Sequence, residues 1–165
     1  MPGLSVLPRL LAEVGYNEWN AVLATNLTGV WLCMKYEIAH MRAHGGGVIV
    51  NTASNIGAHR RMPSMGAYAA TKAGGSALTH AAALEYTGAG IRINAVSPGP
   101  VDTGWFQAPD GSAEGENTGW DPGAGLPIGR VASMDEISNA VLWLASPGAG
   151  FVVGHDLLID GGASS

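Results

Sequence analysis

Two short runs rich in β-branched residues, "GVIVNTAS" from Gly47 and "IRINAVSPG" from Ile91, constrain the fold more than any other feature of this chain. Glycines bound the first, both run into polar residues, and their apolar positions come in succession, the pattern of strands buried on both faces in a parallel sheet. Between them lies an alanine-rich stretch from about Ala67 to Thr87, closed by "GAG", which predicts a helix. Alternation of helix and apolar strand argues for an α/β layer structure. In such sheets ligands sit beyond the carboxyl ends of the strands, which here points to Ser54 and to "SPGPVDTG".

The flanking sequence fits that frame. From Gly15 to about His44, Trp19, Val22, Leu23, Val30, Trp31, Met34, Ile38 and Met41 recur at steps of three and four and predict one amphipathic helix, ended by "HGGG". Residues 104–129 are rich in glycine and proline and predict a long loop, which in a compact domain suits a lid. Ser133 and Glu136 have capping-box spacing at the start of a further helix whose apolar face is Ile137, Val141, Leu142 and Leu144. "HDLLIDGG" reads as a third strand, and residues 1–165 as a single domain.

Composition narrows the partners. Eight Lys and Arg against thirteen Asp and Glu, with no basic run, leave no electrostatic footprint for nucleic acid or an anionic membrane surface, so a small-molecule partner is expected. The single Cys33 gives no disulfide framework and reads as a small buried hydrophobe in a reducing compartment. No uncharged run is long enough to span a bilayer, and "MPGLSVLPRLLAEV" lacks a secretory cleavage pattern, so a cytoplasmic protein is expected. His40, His44, His80 and His155 show no ligand spacing, and no metal is assigned.

Tyr68 and Lys72, in "GAYAATKAGG", are one helical turn apart and share a face. A neighbouring ammonium favours a phenolate, so this pairing can make a tyrosine a working acid or base. Ser54, at the end of the first strand, offers a hydroxyl to the oxygen of a bound carbonyl or alcohol. Asn26 falls on the apolar stripe of the first helix, where an amide must find partners or mark a local kink. His59, Arg60 and Arg61 read as a solvated rim near the mouth of this site, and Asp102 as a turn former.

Asn26 in "NLTG", Ser54 in "NTAS", Tyr68 and Lys72 in "YAATK", "NAVSPGPVDT" over 94–103 and "DGG" from Asp160 together resemble the short-chain dehydrogenase/reductases, in the right order, from about Asn17 to Gly162. The resemblance implies a three-layer Rossmann-like parallel sheet and hydride transfer between NAD or NADP and a carbonyl or secondary alcohol. It implies Tyr68 as general acid/base, Lys72 as its tuner and ribose ligand, Ser54 as the residue orienting the substrate oxygen, and Asn26 as holder of a relay water. Tyr68, Lys72, Pro98, Gly99, Val101 and Thr103 become cofactor contacts, and a homo-oligomer, dimer or tetramer, is expected through the two long helices.

That family opens with a strand and a glycine-rich turn, TGxxxGxG, which cradles the cofactor pyrophosphate. No such turn precedes Asn26. The literal match "TGWDPGAG" at Thr118 to Gly125 has neither strand before it nor helix after it and reads as chance. The sequence is therefore expected to correspond to the C-terminal strands and helices of the family, with an open sheet edge at the first strand. Turnover then requires the N-terminal half; the alternative is a non-enzymatic fragment acting as an oligomerising or interaction module.

Overall fold

The computed structural model describes residues 8–103 and 123–165. Most of the expected 104–129 loop, and most of "TGWDPGAG", lies outside the described residues. Along the chain come α1 (Tyr16–Leu23), a π-turn (Ala24–Thr28), α2 (Gly29–Ala43), β1 (Gly47–Thr52) and a kinked turn, α3 (Asn55–Ala58). They are followed by α4 (Gly66–Tyr86), β2 (Ile91–Pro98), α5 (Met134–Ala145) and β3 (Asp156–Ile159).

The three strands form one parallel sheet in the order β1-β2-β3, with Ile49 opposite Ile93 and Ala95 opposite Asp156. Successive side chains of a strand point to opposite faces, and β2 sorts the layers on this basis. Ile91 and Ile93 are fully buried and meet Met34 and Ile38 of α2, Ala82 and Ala83 of α4, and Ile49 of β1. Arg92, on the other face, donates to the carbonyls of Leu144, Ala145 and Ser146 at the end of α5. Helices thus cover both faces, and the fold is the expected three-layer α/β arrangement.

Small residues bring α4 close to the sheet. Its buried positions, Ala67, Thr71, Gly75, Ser76, Thr79, Ala82 and Ala83, recur mostly at steps of three and four, so the side against the strands carries little bulk. Two hydroxyls on that side are paired within the helix, Thr71 donating to the Tyr68 carbonyl and Thr79 to the Gly75 carbonyl, while Ser76 gives its hydroxyl proton to the Asp156 carboxylate of β3. At α5 the expected capping box is present in both directions between Ser133 and Glu136. Arg130 grips the same carboxylate through two bonds of 2.8 Å, and that contact, helped by the Ser133 backbone N–H, draws Glu136 down from 4.5 to about 2.

Four expectations are corrected. The helix over Gly15 to His44 is interrupted, because residues 24–28 take a π-turn that separates α1 from α2. β1 is not buried on both faces; only Ile49 is fully buried, since β1 is an edge strand among the described residues, and β2 takes the central place. Cys33 is exposed in a groove beside β1, and Trp31 and Leu142 are exposed because the stripes of α2 and α5 extend past the area the sheet can cover. His59 is not a rim residue, for its Nε2 is buried against Asp156. Among the described residues no helix is long and apolar enough to cross a membrane.

Candidate active site

Beyond the carboxyl end of β1 the chain must leave the sheet and reach α4. Ala53 prolongs the ladder with one bond to the Val96 carbonyl, and Ser54 then turns the chain. Ser54 is buried, and its Oγ accepts the Ile56 N–H at 3.2 Å. A hydroxyl has one donor and two acceptor positions. Its O–H makes no hydrogen bond among the described residues.

The turn lies against the start of α4. Gly57 has φ 134° and ψ −91°, a conformation open to glycine, and a Cβ there would stand 2.9 Å from the Ala69 carbonyl oxygen and 3.0 Å from the Ala73 nitrogen. This contact sets the Ser54 segment over the turn of α4 that runs from Tyr68 to Lys72. Lys72 reaches back to the sheet, donating from Nζ to the Thr52 carbonyl at 3.0 Å. The same ammonium is 5.8 Å from the centre of the Tyr68 ring. Burial lowers the pKa of Lys72. One of its three donors is used by Thr52, and the other two are available to hydroxyl groups such as those of a ribose.

Asn26 occupies the middle of the π-turn, half-buried, with no side-chain hydrogen bond among the described residues. The next residue, Leu27, packs on α4 so closely that a Cβ on Gly74 would lie 2.9 Å from its Cδ1. π-turns inside helices are rare and gather at functional sites. Pro98 closes β2, and the Gly99 N–H donates to the Ile159 carbonyl at 2.9 Å. Gly99 admits no side chain, since its Cβ would fall 2.8 Å from the Asp160 Cα. Val101 bridges to Ala132 in the parallel sense, while Thr103 is exposed. Ser54 and the Pro98 to Thr103 segment thus follow the carboxyl ends of adjacent parallel strands.

A second polar cluster has no counterpart in the sequence reading. The Asp156 carboxylate, buried at the start of β3, accepts Ser76 Oγ of α4 at 2.5 Å and Ser97 Oγ of β2 at 2.6 Å. His59 Nε2 approaches it to 3.2 Å outside strict hydrogen-bond geometry and has no other partner among the described residues. Four residues on, Asp160 accepts the Asn55 amide at 3.3 Å and the Gly162 N–H at 3.1 Å. Burial opposes the charge of Asp160, but these donors outweigh it, with the Ser164 hydroxyl close by though outside strict geometry, and its pKa falls below the ordinary value.

Residues 5–164 match the family model described as enoyl-(acyl carrier protein) reductase. A structure titled short chain dehydrogenase/reductase family protein is 36% identical, superposes with a TM-score of 0.80, and is matched over 94% of this chain and 62% of its own. This chain belongs to the short-chain dehydrogenase/reductases. Cis-4-hydroxycyclohexanecarboxylate dehydrogenase of Sinomonas cyclohexanicum is 42% identical over 92% of this short-chain dehydrogenase/reductase and 59% of its own length. Cyclohexanol dehydrogenase of Acinetobacter sp. is 39% identical over 93% and 57%. Acetoin dehydrogenase YohF from Salmonella typhimurium is 31% identical, with a TM-score of 0.80, over 95% of this chain and 59% of its own. The chain spans less than two thirds of the length of each of these relatives.

Proposed function

We propose that this chain carries the catalytic part of an oxidoreductase acting on a carbon that bears a carbonyl or secondary hydroxyl, with NAD or NADP as cofactor. The observation that supports it is the Lys72 ammonium, tethered to Thr52 and 5.8 Å from the Tyr68 ring centre, beneath the turn that begins at Ser54. The two free donors of Lys72 suit the ribose of a nicotinamide nucleotide, and Pro98, Gly99, Val101 and Thr103 would lie along its nicotinamide end. Bound there, a nicotinamide supplies or accepts the hydride. Ser54 holds the substrate oxygen through its free O–H. Tyr68 passes a proton to or from that oxygen, and the Lys72 charge stabilises the phenol oxygen when the proton has left it. Asn26 holds a water that relays protons toward Lys72.

Two relatives, the cis-4-hydroxycyclohexanecarboxylate and cyclohexanol dehydrogenases, are named for alcohols on a six-membered carbon ring, which supports an alicyclic secondary alcohol as substrate. Two copies associate through α2 and α4, where Trp31, Tyr36 and Leu84 are exposed and a groove of about 470 Å³ lies between Leu27, Trp31, Gly74 and Leu78. A second reading, an interaction module without turnover, is favoured by one feature, the outer edge of β1, which borders a groove of about 570 Å³ lined by Val30, Cys33, Met41, Val48 and Val50.

Titration of the purified chain with NADH and NADPH, followed by fluorescence, separates the two. Saturable binding is the expected result, and in a protein that also carries the N-terminal glycine-rich half a Tyr68→Phe variant should bind equally well but turn over cyclohexanol about 10² to 10⁴ times more slowly. Nearly intact turnover in that variant overturns the acid/base assignment, and absence of binding favours the module.

A further inference from the structure

The Ser54 segment is pinned at two points by carboxylates at the two ends of β3. Asp156 opens the strand and meets α4 through Ser76, and Asp160 directly follows its last residue, Ile159. Asn55, next to Ser54, donates to Asp160, and His59, at the far end of the same turn, brings Nε2 to 3.2 Å from Asp156. Between these anchors the backbone closes on itself, with the Arg60 N–H on the Asn55 carbonyl at 2.7 Å and the Gly57 N–H on the Arg60 carbonyl at 3.0 Å.

The Asp156 side of this arrangement is built in advance. Ser76 holds one carboxylate oxygen from α4 and Ser97 the other from β2, so the carboxylate is fixed against two elements before His59 meets it. Ser76 follows Lys72 by one helical turn and accordingly lies on the same side of α4. His59 Nε2 is buried, and the Asp156 carboxylate is the only partner within reach of it among the described residues. A buried ring nitrogen is costly to leave unpaired, so the imidazole gains most by staying on this carboxylate.

The geometry points to a clamp: His59 and Asp156 act as a positioning pair that holds the 54–60 turn down on α4 and thereby sets the Ser54 hydroxyl over Tyr68 and Lys72. The clamp rests on the reading of Ser54 as the residue that orients the substrate oxygen. It makes β3, which supplies none of the proposed catalytic groups, the ruler for their spacing.

The test is amide hydrogen exchange on the full 165-residue chain, which reads the clamp without turnover, so its failure and the failure of the catalytic reading are told apart. In His59→Leu and in Asp156→Asn the amides of Ile56, Gly57 and Arg60 should exchange at least about tenfold faster, while those of Ile93 and Val96 in β2 hold their rates. His59→Gln, which keeps an N–H donor, should stay within about threefold of the unmodified chain, and the double variant His59→Leu/Asp156→Asn should exchange no faster at these amides than Asp156→Asn alone. The nitrogen chemical shifts of the His59 ring should also move in Asp156→Asn. Unchanged exchange in His59→Leu, equal acceleration in β2, or additive effects in the double variant would each overturn the clamp.

Discussion

Replacing Gly57 with alanine puts a methyl group where the structure has no room for one. The φ of 134° and ψ of −91° are closed to residues with a side chain, a strain of about 1 to 3 kcal/mol. The added carbon would also stand 2.9 Å from the Ala69 oxygen and 3.0 Å from the Ala73 nitrogen, main-chain atoms of α4 that cannot rotate away. Displacing them adds about 1 to 3 kcal/mol. Alanine restricts the unfolded chain and returns about 0.4 to 1 kcal/mol, so a net loss of about 1 to 5 kcal/mol is expected. Urea unfolding followed by circular dichroism measures it, with the midpoint falling and the slope unchanged. A loss below about 0.5 kcal/mol would refute the reasoning, since only a turn that sits loosely on α4 could absorb the methyl group so cheaply.

Three further outcomes follow from individual groups. Burial lowers Lys72 from its ordinary 10.5, so the unfolded chain holds more protons between the lowered value and 10.5, and stability should rise with pH through that window. Urea midpoints on the alkaline side check this, and an equal slope in Lys72→Met would contradict it. Glu136, drawn from 4.5 to about 2, contributes stability that is present above 4.5 and is lost as pH falls through about 2. Carbon-detected titration of its carboxyl should return toward 4.5 in Arg130→Ala, and an unmodified chain already titrating near 4.5 would dismiss the paired capping arrangement. Ile93→Ala empties a fully buried site in the central strand and should cost about 2 to 5 kcal/mol by thermal or urea unfolding; a cost under about 1 kcal/mol would place the main core elsewhere.

Periodicity carried most of the architecture. "IRINAVSPG" reads as a buried strand because its apolar residues come in succession, and it is the strand that the sheet buries most completely. Ser133 and Glu136 cap α5 as their spacing predicts, since a capping box is a local arrangement that needs no distant partner. What distant partners decide was less legible. Nothing local in "GVIVNTAS" distinguishes a strand with two neighbours from one with a single neighbour. Asp156 flanks an apolar run, where a charge ordinarily marks the exit to solvent, and its burial depends on hydroxyls 80 and 59 residues away. The burial of His59 is hidden for the same reason: a loop histidine beside two arginines looks solvated until the carboxylate it meets is located. Tyr68 and Lys72 could be placed on one face by arithmetic alone, whereas the tether from Lys72 to Thr52 requires the strand that ends there.

The π-turn at residues 24–28 fits one more residue into a helical stretch than regular winding would hold. Each residue turns an α-helix by about 100°, so rewinding these same residues as regular α-helix, with none removed, would rotate everything downstream by that angle. Met34 and Ile38 would swing out of the interior and Cys33 or Glu37 would swing toward it. The bend that frames Asn26 is thus locked in place by the hydrophobic contacts of the helix that follows, and a sequence that lost the irregularity would have to redesign α2 as well.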